Sequence, residues 1–435
     1  MKKLLKKILG ERIISFYHYV LAILASVYYG FPSKKMVVIG VTGTKGKTST
    51  INFMWAALMA GGHKTGVITT ANVRIGNKEI INPYHMTMPG RFTIQKLLAQ
   101  MVKEGCTHCI VETTSQGIKQ YRHIGIAYDQ AVFTNLTPEH LESHENSFEK
   151  YRNEKLKLFA ALSSHEKILD GKRVPKAIIV NQDCKDAPYF LAHKADTKIT
   201  YAIDGDADIV AKNIVEKNDG VTFTLNDHEF HIQILGRFNV YNVLPAIIVA
   251  RLAGDKDESI SLGLSSLKLI PGRMEEIKEG QSFMVIVDYA HEKESMTNVL
   301  RTAGAMRKNH AKIIVVLGAE GGGRDKAKRP LMAELAAHMA DYVVVTNVDP
   351  YDDNPQTILE DIASVAEKFG KVRNENLFVI EDRREGIHKA LSLASGHDIV
   401  LVTGKGAEQS MIIGDQKIPW DDRVVVREEL HKLSR

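Results

Sequence analysis

Short apolar runs alternate with segments of helical periodicity along most of this chain. In the first half, helical patterns separate most of the runs, and one helix is predicted from about residue 46 to 59. Parallel strands need long crossover connections, which are usually helices, so the alternation predicts a mostly parallel sheet with helices on both faces. The predicted strands occupy residues 36–42, 66–70, 108–112, 131–135 and 177–181.

After about residue 200 the pattern changes. Residues 206–215 and 221–235 alternate polar and apolar positions in the manner of antiparallel strands, and a helix is predicted near 240–252. A second α/β series then begins near residue 271. Its strands are predicted at 283–288, 312–318, 342–346, 377–380 and 398–403.

The pattern therefore predicts an α/β protein with two domains behind an N-terminal segment. The first domain, residues 35–270, is expected to hold the mostly parallel sheet and a smaller antiparallel part. The second domain, residues 271–435, is expected to be Rossmann-like. Residues 1–34 form a separate basic and apolar segment.

The N-terminal segment contains 19 residues, 13–31, with no charged side chain beyond a neutral His18. A membrane-spanning helix needs roughly 20 apolar residues, so the length is borderline. Tyrosines within the segment and lysines before it are typical of a membrane interface facing the cytoplasm. Three alternatives stay open: a helix packed on the following domain, an interfacial membrane contact through residues 1–31, and a membrane span.

Charge and cysteine content narrow the function classes. The net charge is +5, and residues 1–12 contribute most of it, with five basic side chains against one acidic. The rest of the chain is nearly neutral, which argues against nucleic acid as a partner. The 3 cysteines are too few for a disulfide framework and favour a reducing compartment, so the predicted location is cytoplasmic.

One motif indicates phosphate binding. It directly follows the predicted strand 36–42, opens the next helix, and reads Gly43-Thr44-Lys45-Gly46-Lys47-Thr48. Glycines allow backbone N–H groups to approach phosphate oxygens, and the helix N-terminus favours negative charge. By the same pattern, Lys47 would reach the terminal phosphates and the hydroxyl of Thr48 would bind Mg²⁺. The usual motif has one more glycine, at the position of Val41, so the match is short by one residue.

Two further residues are candidate metal ligands. Glu112 ends a predicted strand, and a carboxylate at the carboxyl end of a parallel strand lies at the mouth of a nucleotide crevice. His140 follows another predicted strand and is either a ligand or an ordinary loop histidine. Each residue alone is weak evidence.

Lys155 occupies an unexpected position in the helix predicted over residues 147–163. It lies on the same stripe as Tyr151 and Phe159, at helical spacing. A buried ammonium is costly unless it is paired or neutralised. The side chain either extends to solvent or has a neutralised amine, for example a carbamate formed with CO₂ that would serve as an acidic metal ligand.

Many separate blocks of the chain resemble one family, the ADP-forming Mur ligases. The resemblance is closest to the member that adds the third residue of the peptidoglycan stem peptide. It runs from about residue 35 to the C-terminus, and the matching blocks include GVTGTKGKTST, VETTSQG, FTNLTPEHLESHENSFEKYRNEKLKLF, GRFNVYN, PGRMEEI, VDYAH, DDNPQ and TGKGAEQSMIIGD.

The resemblance implies a P-loop ATPase fold for the first domain, with ATP and two Mg²⁺ ions as cofactors. It implies that Thr48, Glu112, His140 and a carbamate on Lys155 bind metal, and that Lys47, Lys155, His140 and Glu112 are catalytic. The implied nucleotide-binding residues are Gly43, Thr44, Lys45, Gly46, Lys47, Thr48, Asn239, Arg273, Asp288 and His291.

The resemblance also implies the partners and the reaction. A muramyl-peptide carboxylate is activated by ATP as an acyl phosphate, and an amino acid then forms an amide bond in peptidoglycan synthesis. Residues implied to contact these two substrates are Thr87, Ser115, Arg122, Asp353, Asn354, Lys405 and Glu408.

Two differences from the family keep alternatives open. Residues 1–34 stand where the family has a uridine-binding domain, so a lipid-linked, folate or cyanophycin-type acceptor is an alternative to a UDP-linked one. Gln356 stands where diaminopimelate-adding members have arginine, so the amino acid is not identified. A nucleotide-binding scaffold at the membrane, without ligase turnover, is the alternative from another class.

Overall fold

The structure, a computed structural model, describes residues 2–84, 86–139, 141–217, 219–308, 310–323 and 326–433, with side chains from residue 13 onward. The chain divides into two compact units. The first comprises residues 1–215, 222–232 and 239–267, and the second comprises 216–221, 233–238 and 268–435. Both contain a mostly parallel sheet with helices, which confirms the predicted mixed α/β fold.

The first part of the chain, to residue 267, forms eight α-helices among the described residues. They are α1 (Lys2–Tyr28), α2 (Lys47–Ala60), α3 (Arg91–Lys103), α4 (Ser115–Lys119), α5 (Phe148–Leu162), α6 (Ala187–Leu191), α7 (Asn239–Leu252) and α8 (Asp257–Ser266). Its strands are β1 (Val37–Thr42), β2 (Thr65–Ile68), β3 (Asn72–Ile75), β4 (Lys78–Ile81), β5 (His108–Glu112), β6 (Gln130–Phe133), β7 (Ile168–Leu169), β8 (Lys172–Arg173), β9 (Ala177–Asn181), β10 (Thr197–Ala202), β11 (Ile209–Val210), β12 (Lys212–Lys217), β13 (Gly220–Leu225) and β14 (His228–Ile232).

Nine of these strands form one sheet in the order β11-β10-β9-β6-β1-β5-β2-β3-β4. The strands from β11 to β2 run parallel, and β3 and β4 add an antiparallel edge. Strand β1 lies between β5 and β6, and all three are buried almost throughout because helices cover both faces of the sheet. Their carboxyl ends therefore meet at one edge.

The antiparallel pattern predicted after residue 200 is partly present. Strands β12, β13 and β14 form a separate sheet. Asn226 and Asp227, with φ of 45° and 65°, make the two-residue hairpin turn between β13 and β14. Strand β11 instead pairs parallel with β10, because it extends the large sheet before the chain leaves it.

The rest of the chain builds a six-stranded sheet in the order β15-β16-β20-β17-β18-β19. Only β15 is antiparallel to its neighbour. Its strands, with a short hairpin, are β15 (Glu275–Ile277), β16 (Met284–Asp288), β17 (Ile313–Leu317), β18 (Tyr342–Val345), β19 (Leu377–Val379), β20 (Ile399–Thr403), β21 (Ser410–Ile413) and β22 (Gln416–Pro419). Its helices are α9 (Lys293–Met306), α10 (Lys328–Met339), α11 (Pro355–Lys368), α12 (Arg383–Leu393) and α13 (Asp422–Leu433).

The N-terminal segment forms α1, which packs on the first unit through small side chains. Ala22, Ala25 and Ser26 are buried, and Ser15 donates a hydrogen bond of 3.1 Å to the hydroxyl of Tyr121. These contacts agree with the packed-helix alternative. Among the described residues, no helix combines the length and apolar character required to cross a bilayer.

Candidate functional site

The predicted phosphate loop connects β1 to α2 and is fastened to the chain that follows β6. The backbone N–H of Thr44 donates to the carbonyl of Asn135 at 2.9 Å, and that of Lys45 donates to Asn135 Oδ1 at 2.8 Å. Lys47 Nζ donates to the carbonyl of Thr44 at 2.8 Å. Gly46 precedes the helix with φ of 79°, a conformation that favours glycine. The loop therefore has the strand–loop–helix geometry of a phosphate site.

Glu112 lies beside this loop at the carboxyl end of β5. Its Oε2 accepts hydrogen bonds from Thr48 Oγ1 at 2.8 Å and from the backbone N–H of Thr70 at 3.0 Å, and the Thr70 hydroxyl donates to Oε1 at 3.1 Å. The side chains of Glu112 and Thr48 are almost fully buried. The structure thus brings two predicted magnesium residues into direct contact.

Lys155 also points to the loop. It is 2% exposed, and its Nζ donates to the carbonyl of Gly43 at 2.8 Å. Burial, reinforced by Lys47, holds the pKa of Lys155 well below its usual value, although the carboxylates of Glu139 and Glu112 oppose the shift. Burial therefore disfavours the charged form of the Lys155 amine.

The residues at this edge suit Mg²⁺ chemically. Thr48 and Glu112 provide a hydroxyl and a carboxylate, and oxygen atoms are the ligands that Mg²⁺ prefers. His140, the other predicted ligand, lies outside the described residues. Within the described ranges, no group of three or more His, Cys, Asp or Glu side chains is arranged to hold a metal.

The predicted acceptor residues Thr87 and Arg122 lie close to the same edge. Thr87 Oγ1 is 2.8 Å from the Thr70 hydroxyl, which bonds Glu112. The guanidinium of Arg122 donates to the carbonyl of Met88. A hydrogen-bonded chain therefore links one predicted substrate residue to the predicted metal residues.

Ser115, the third predicted acceptor residue, begins α4 and contacts a buried histidine. His144 Nε2 lies 3.1 Å from Ser115 Oγ, and its ring packs 5.2 Å from that of Tyr151. The hydroxyl of Tyr151 lies 3.1 Å from Thr44 Oγ1 in the phosphate loop. Burial, with nearby lysines, lowers the pKa of His144 to about 4, so the imidazole is neutral at neutral pH.

Asn239 begins α7 and is buried next to the phosphate loop. Asn242 donates to its Oδ1 at 2.8 Å. Asn242 also contacts the loop, because a Cβ at Gly46 would lie 2.1 Å from its Oδ1. The structure therefore places the first turn of α7 against the loop that is predicted to bind ATP.

In the second unit, the predicted nucleotide residues surround Tyr289. The guanidinium of Arg273 lies 4.4 Å from the Tyr289 ring centre, and the ring of His291 meets it edge-on at 4.5 Å. Asp288 is held by the backbone N–H groups of Met274 and Ala290, each at 2.7 Å. All three predicted nucleotide residues of this unit thus contact Tyr289 or lie within two residues of it in the chain.

The predicted amino-acid residues Lys405 and Glu408 belong to the same cluster. Lys405 Nζ donates to Asp349 Oδ2 and to Glu408 Oε2, each at 2.8 Å, and the Tyr289 hydroxyl donates to Glu408 Oε1 at 3.2 Å. Burial alone would lower the pKa of Lys405, but Glu408 and Asp349 hold it above its usual value. Lys405 is therefore a buried cation.

Asp353 and Asn354 make contacts at the start of α11. Asn354 Oδ1 caps the helix by accepting from the N–H of Gln356 at 2.9 Å, and Asp353 lies 3.9 Å from Arg329. Gln356 donates through Nε2 to Glu381 Oε2 at 2.6 Å.

Sequence reasoning did not single out three residues that lie within these clusters. Thr70 ends the predicted strand 66–70, and the strand-end rule that selected Glu112 would have selected it as well. His144 comes four residues after His140 in the sequence, but burial is what distinguishes it from an ordinary histidine. Tyr289 has no signal of its own in the sequence.

Comparison with known proteins agrees with this arrangement. Residues 41–250 match the Mur ligase middle domain, and residues 272–406 match the Mur ligase glutamate ligase domain. The UDP-N-acetylmuramoyl-L-alanyl-D-glutamate–2,6-diaminopimelate ligase of Bacillus cereus is 38% identical over 416 residues, covering 94% of this chain and 81% of that protein.

Two further proteins also match over most of the chain. The UDP-N-acetylmuramyl-tripeptide synthetase of Roseiflexus sp. is 36% identical over 422 residues, covering 95% of this chain and 82% of that protein. A solved UDP-N-acetylmuramoyl-L-alanyl-D-glutamate–2,6-diaminopimelate ligase is 28% identical with a TM-score of 0.61, covering 92% of this chain and 79% of that one. Since these likenesses run through both units, the chain belongs to the Mur ligase family and is a Mur-type ligase.

Proposed function

We propose that the chain is an ATP-dependent, ADP-forming ligase that joins an amino acid to the carboxylate of a muramyl peptide in peptidoglycan precursor synthesis. The observation that carries the proposal is the convergence of the 43–48 loop, the Thr48–Glu112 contact and the buried Lys155 within one unit of a Mur-type ligase. The printed names of the relatives support the muramyl-peptide acceptor and the amino-acid donor.

The proposed reaction has two steps. The acceptor carboxylate attacks the γ-phosphorus of ATP, which forms an acyl phosphate and releases ADP. The amine then attacks the acyl carbon, loses a proton and expels phosphate. Both reactants of the first step are anions, so positioning and charge neutralisation supply most of the catalysis. Lys47, the backbone N–H groups of the loop and Arg273 are proposed to provide them.

Thr48, Glu112, His140 and a carbamate on Lys155 are proposed to hold Mg²⁺, with two ions expected. When bound, Mg²⁺ would neutralise phosphate charge and align the reacting oxygens. The burial of Lys155, which lowers the pKa of its amine, supports the carbamate. The amine nitrogen would form a bond to the carbon of CO₂ and release a proton, which leaves an anionic group beside the loop.

Residues 35–270 are proposed as the ATP-binding domain and 271–435 as the domain that binds the amino acid, through the Lys405 cluster and residues 353–354. Thr87, Ser115 and Arg122 are proposed to contact the acceptor. The enzyme is proposed to work in the cytoplasm, with residues 1–31 in contact with the membrane surface.

The main test measures phosphate release by the full chain with Mg²⁺ and ATP. Release is expected only when acceptor and amino acid are both present, with the amide product identified by mass spectrometry. Lys47→Ala is expected to abolish turnover because the variant loses the phosphate-binding ammonium, whereas Lys278→Ala, at a lysine 75% exposed, is the matched control. Wild-type turnover by Lys47→Ala would contradict the role proposed for Lys47, and absence of turnover by the wild-type chain with every acceptor and amino acid would contradict the ligase and favour the scaffold.

The acceptor and the amino acid are identified by substitution in the same assay. UDP-muramyl-dipeptide is compared with a non-uridylated analogue, and turnover of the analogue alone would identify a differently carried acceptor. The amino-acid panel includes diaminopimelate, lysine and alanine, because the Gln356–Glu381 pair offers an amide and a carboxylate in place of a guanidinium.

Carbamate formation has a readout that is independent of turnover. With ¹³C-labelled bicarbonate, a carbamate carbon signal is expected in the wild-type protein and not in Lys155→Met. A signal of equal intensity in both proteins would place the carbamate elsewhere. Turnover in CO₂-depleted buffer is expected to fall and to recover when bicarbonate is added.

A further inference from the structure

In helix α1 small side chains face the domain and large apolar side chains face outward, which is the reverse of the usual arrangement. The inward face carries small residues, and a Cβ at Gly125 would lie only 1.8 Å from Ser26 Oγ, so the helix approaches the domain closely. A helix that serves only its own domain turns its large apolar side chains inward. Here more than half of each of these outward side chains is exposed: Ile13, Phe16, Tyr17, Leu24, Val27 and Tyr28.

These side chains form one stripe along the helix, because spacings of three, four and seven residues keep side chains on the same face of a helix. Phe92 of α3 extends the stripe, since it is 42% exposed and its ring lies 6.2 Å from that of Tyr28. A contiguous exposed apolar surface of this kind marks an interaction site.

The charges around the stripe indicate what covers it. Basic residues precede it at positions 2, 3, 6, 7 and 12, and the exposed Lys34 and Lys35 follow it. No acidic residue occurs between Glu11 and Glu79. An apolar face flanked by cations at both ends complements a surface that is anionic at the level of its headgroups and apolar just beneath.

The length of the stripe indicates how the helix meets such a surface. At about 1.5 Å per residue, residues 13–28 extend roughly 24 Å, less than the ~30 Å hydrocarbon core. A helix of this kind lies in the plane of the interface, with its apolar face in the headgroup region and its other face on the protein.

We infer that the outward face of α1 docks the enzyme on an anionic lipid bilayer, with the helix lying parallel to the membrane plane. This inference rests on the membrane part of the proposed function and specifies the face, the orientation and the lipid charge. Ligase chemistry in solution does not depend on it, because α1 contributes none of the proposed site residues.

The test is co-sedimentation of the full chain with vesicles of phosphatidylcholine and phosphatidylglycerol, and with vesicles of phosphatidylcholine alone. The wild type is expected to bind the anionic vesicles preferentially. The outward-face variant Phe16→Ser/Leu24→Ser/Val27→Ser is expected to bind them at least about tenfold more weakly. Its thermal unfolding is expected to match the wild type, because the replaced side chains are exposed.

The matched control replaces three exposed apolar residues elsewhere, Ile168→Ser/Leu262→Ser/Val424→Ser, and is expected to bind as the wild type does. Replacing the four N-terminal lysines with glutamine is expected to remove the preference for anionic vesicles. Equal binding by wild type and outward-face variant would overturn the inference. So would a wild-type dimer that the outward-face variant dissociates, because the stripe would then be a subunit interface.

Phosphate release measured without vesicles separates the two proposals. The outward-face variant is expected to keep the wild-type rate while losing vesicle binding. A chain that binds anionic vesicles through this face but never turns over would refute the ligase and leave the docking inference intact.

Discussion

The nine-stranded sheet buries lysine side chains both where its parallel strands begin (the amino edge) and where they end (the carboxyl edge). The hydrogen-bond partners of these lysines differ between the two edges. At the amino edge, Asp129 accepts hydrogen bonds from Lys167 and Lys176. At the carboxyl edge, Lys155 donates to the carbonyl of Gly43 and lies on the ring of Tyr151, 4.4 Å from its centre. Among the described residues, the buried lysines at the amino edge are therefore paired with a carboxylate, whereas Lys155 at the carboxyl edge is bonded to a carbonyl.

The amino-edge cluster is complete within the protein. Lys167 also donates to the carbonyls of Met36 and Ala127, and the carboxylate of Asp129 accepts from the N–H of Val38 at 2.8 Å. These groups precede or begin strands, so the cluster joins β1, β6 and β9 at their starts. Burial lowers the pKa of Lys167 to about 8, opposed by Asp129, and the ammonium stays charged at neutral pH.

Glu112 and Lys155 at the carboxyl edge differ, because neither forms an ion pair with another described residue. Glu112 accepts hydrogen bonds from two hydroxyls and a backbone amide, and Lys155 donates to a carbonyl while burial lowers the pKa of its amine. Buried groups in such an environment are suited to bind a ligand, since the ligand supplies the missing charge. Lys167 and Lys176 are therefore structural lysines, whereas the surroundings of Lys155 suit the role proposed for it.

The largest effect is expected at the amino edge. Asp129→Ala leaves two buried ammonium groups without their carboxylate, and removing one partner of a buried pair costs about 3–5 kcal/mol. Urea unfolding monitored by circular dichroism checks this free energy. Glu360→Ala, which breaks an exposed pair with Arg373, is the control and should cost below about 1 kcal/mol. An equal loss of unfolding free energy in both variants would contradict the difference expected between buried and exposed pairs.

Lys155→Met is expected to lower turnover without lowering stability. Turnover should fall about 100- to 1000-fold, equivalent to roughly 3–4 kcal/mol, because the group beside the phosphate loop is lost. The free energy of unfolding should stay constant or rise, since a buried amine becomes an apolar side chain of similar size. Lys157→Met, on the exposed side of α5, should change neither quantity. A large loss of stability in Lys155→Met would make Lys155 a structural lysine.

His108 makes the free energy of unfolding depend on pH. It begins β5, the strand that ends with Glu112. Burial, with His63, lowers the pKa of His108 to about 4 in the folded state, against about 6.5 when unfolded. The unfolded chain binds more protons between these values, so stability is full above pH ~6.5 and decreases toward pH ~4, by about 3 kcal/mol. His108→Gln should remove this part of the slope. An unchanged slope in urea unfolding across that range would contradict the assignment.

The smallest effect is expected for Tyr151→Phe. The variant loses the hydroxyl contact with Thr44 but keeps the ring against Lys155, so about 1 kcal/mol of loop ordering is lost. The KM for ATP should rise less than about tenfold with little change in kcat, as steady-state kinetics would measure. A loss comparable to that of Lys155→Met would mean that the hydroxyl, rather than the amine, is the important group.

Much of the fold followed from local patterns. The predicted strand 108–112 and helix 147–163 correspond to β5 and α5 within a residue at each end, because side-chain periodicity is a property of neighbouring residues. The position of Lys155 on an apolar stripe was visible for the same reason. The direction of β11 was not, because a two-residue strand has no periodicity to read.

The sequence by itself determined the alternation of strands and helices, the phosphate loop and the candidates Glu112 and Lys155. Only the tertiary structure decided that Thr70 bonds Glu112, that the amine of Lys155 faces Gly43, and that α1 turns its large side chains outward. The physical reason is the distance along the chain between the residues that interact. Periodicity is encoded within a few residues, whereas burial and pairing depend on strands such as β1 and β5 that lie far apart in the chain and meet only in the sheet.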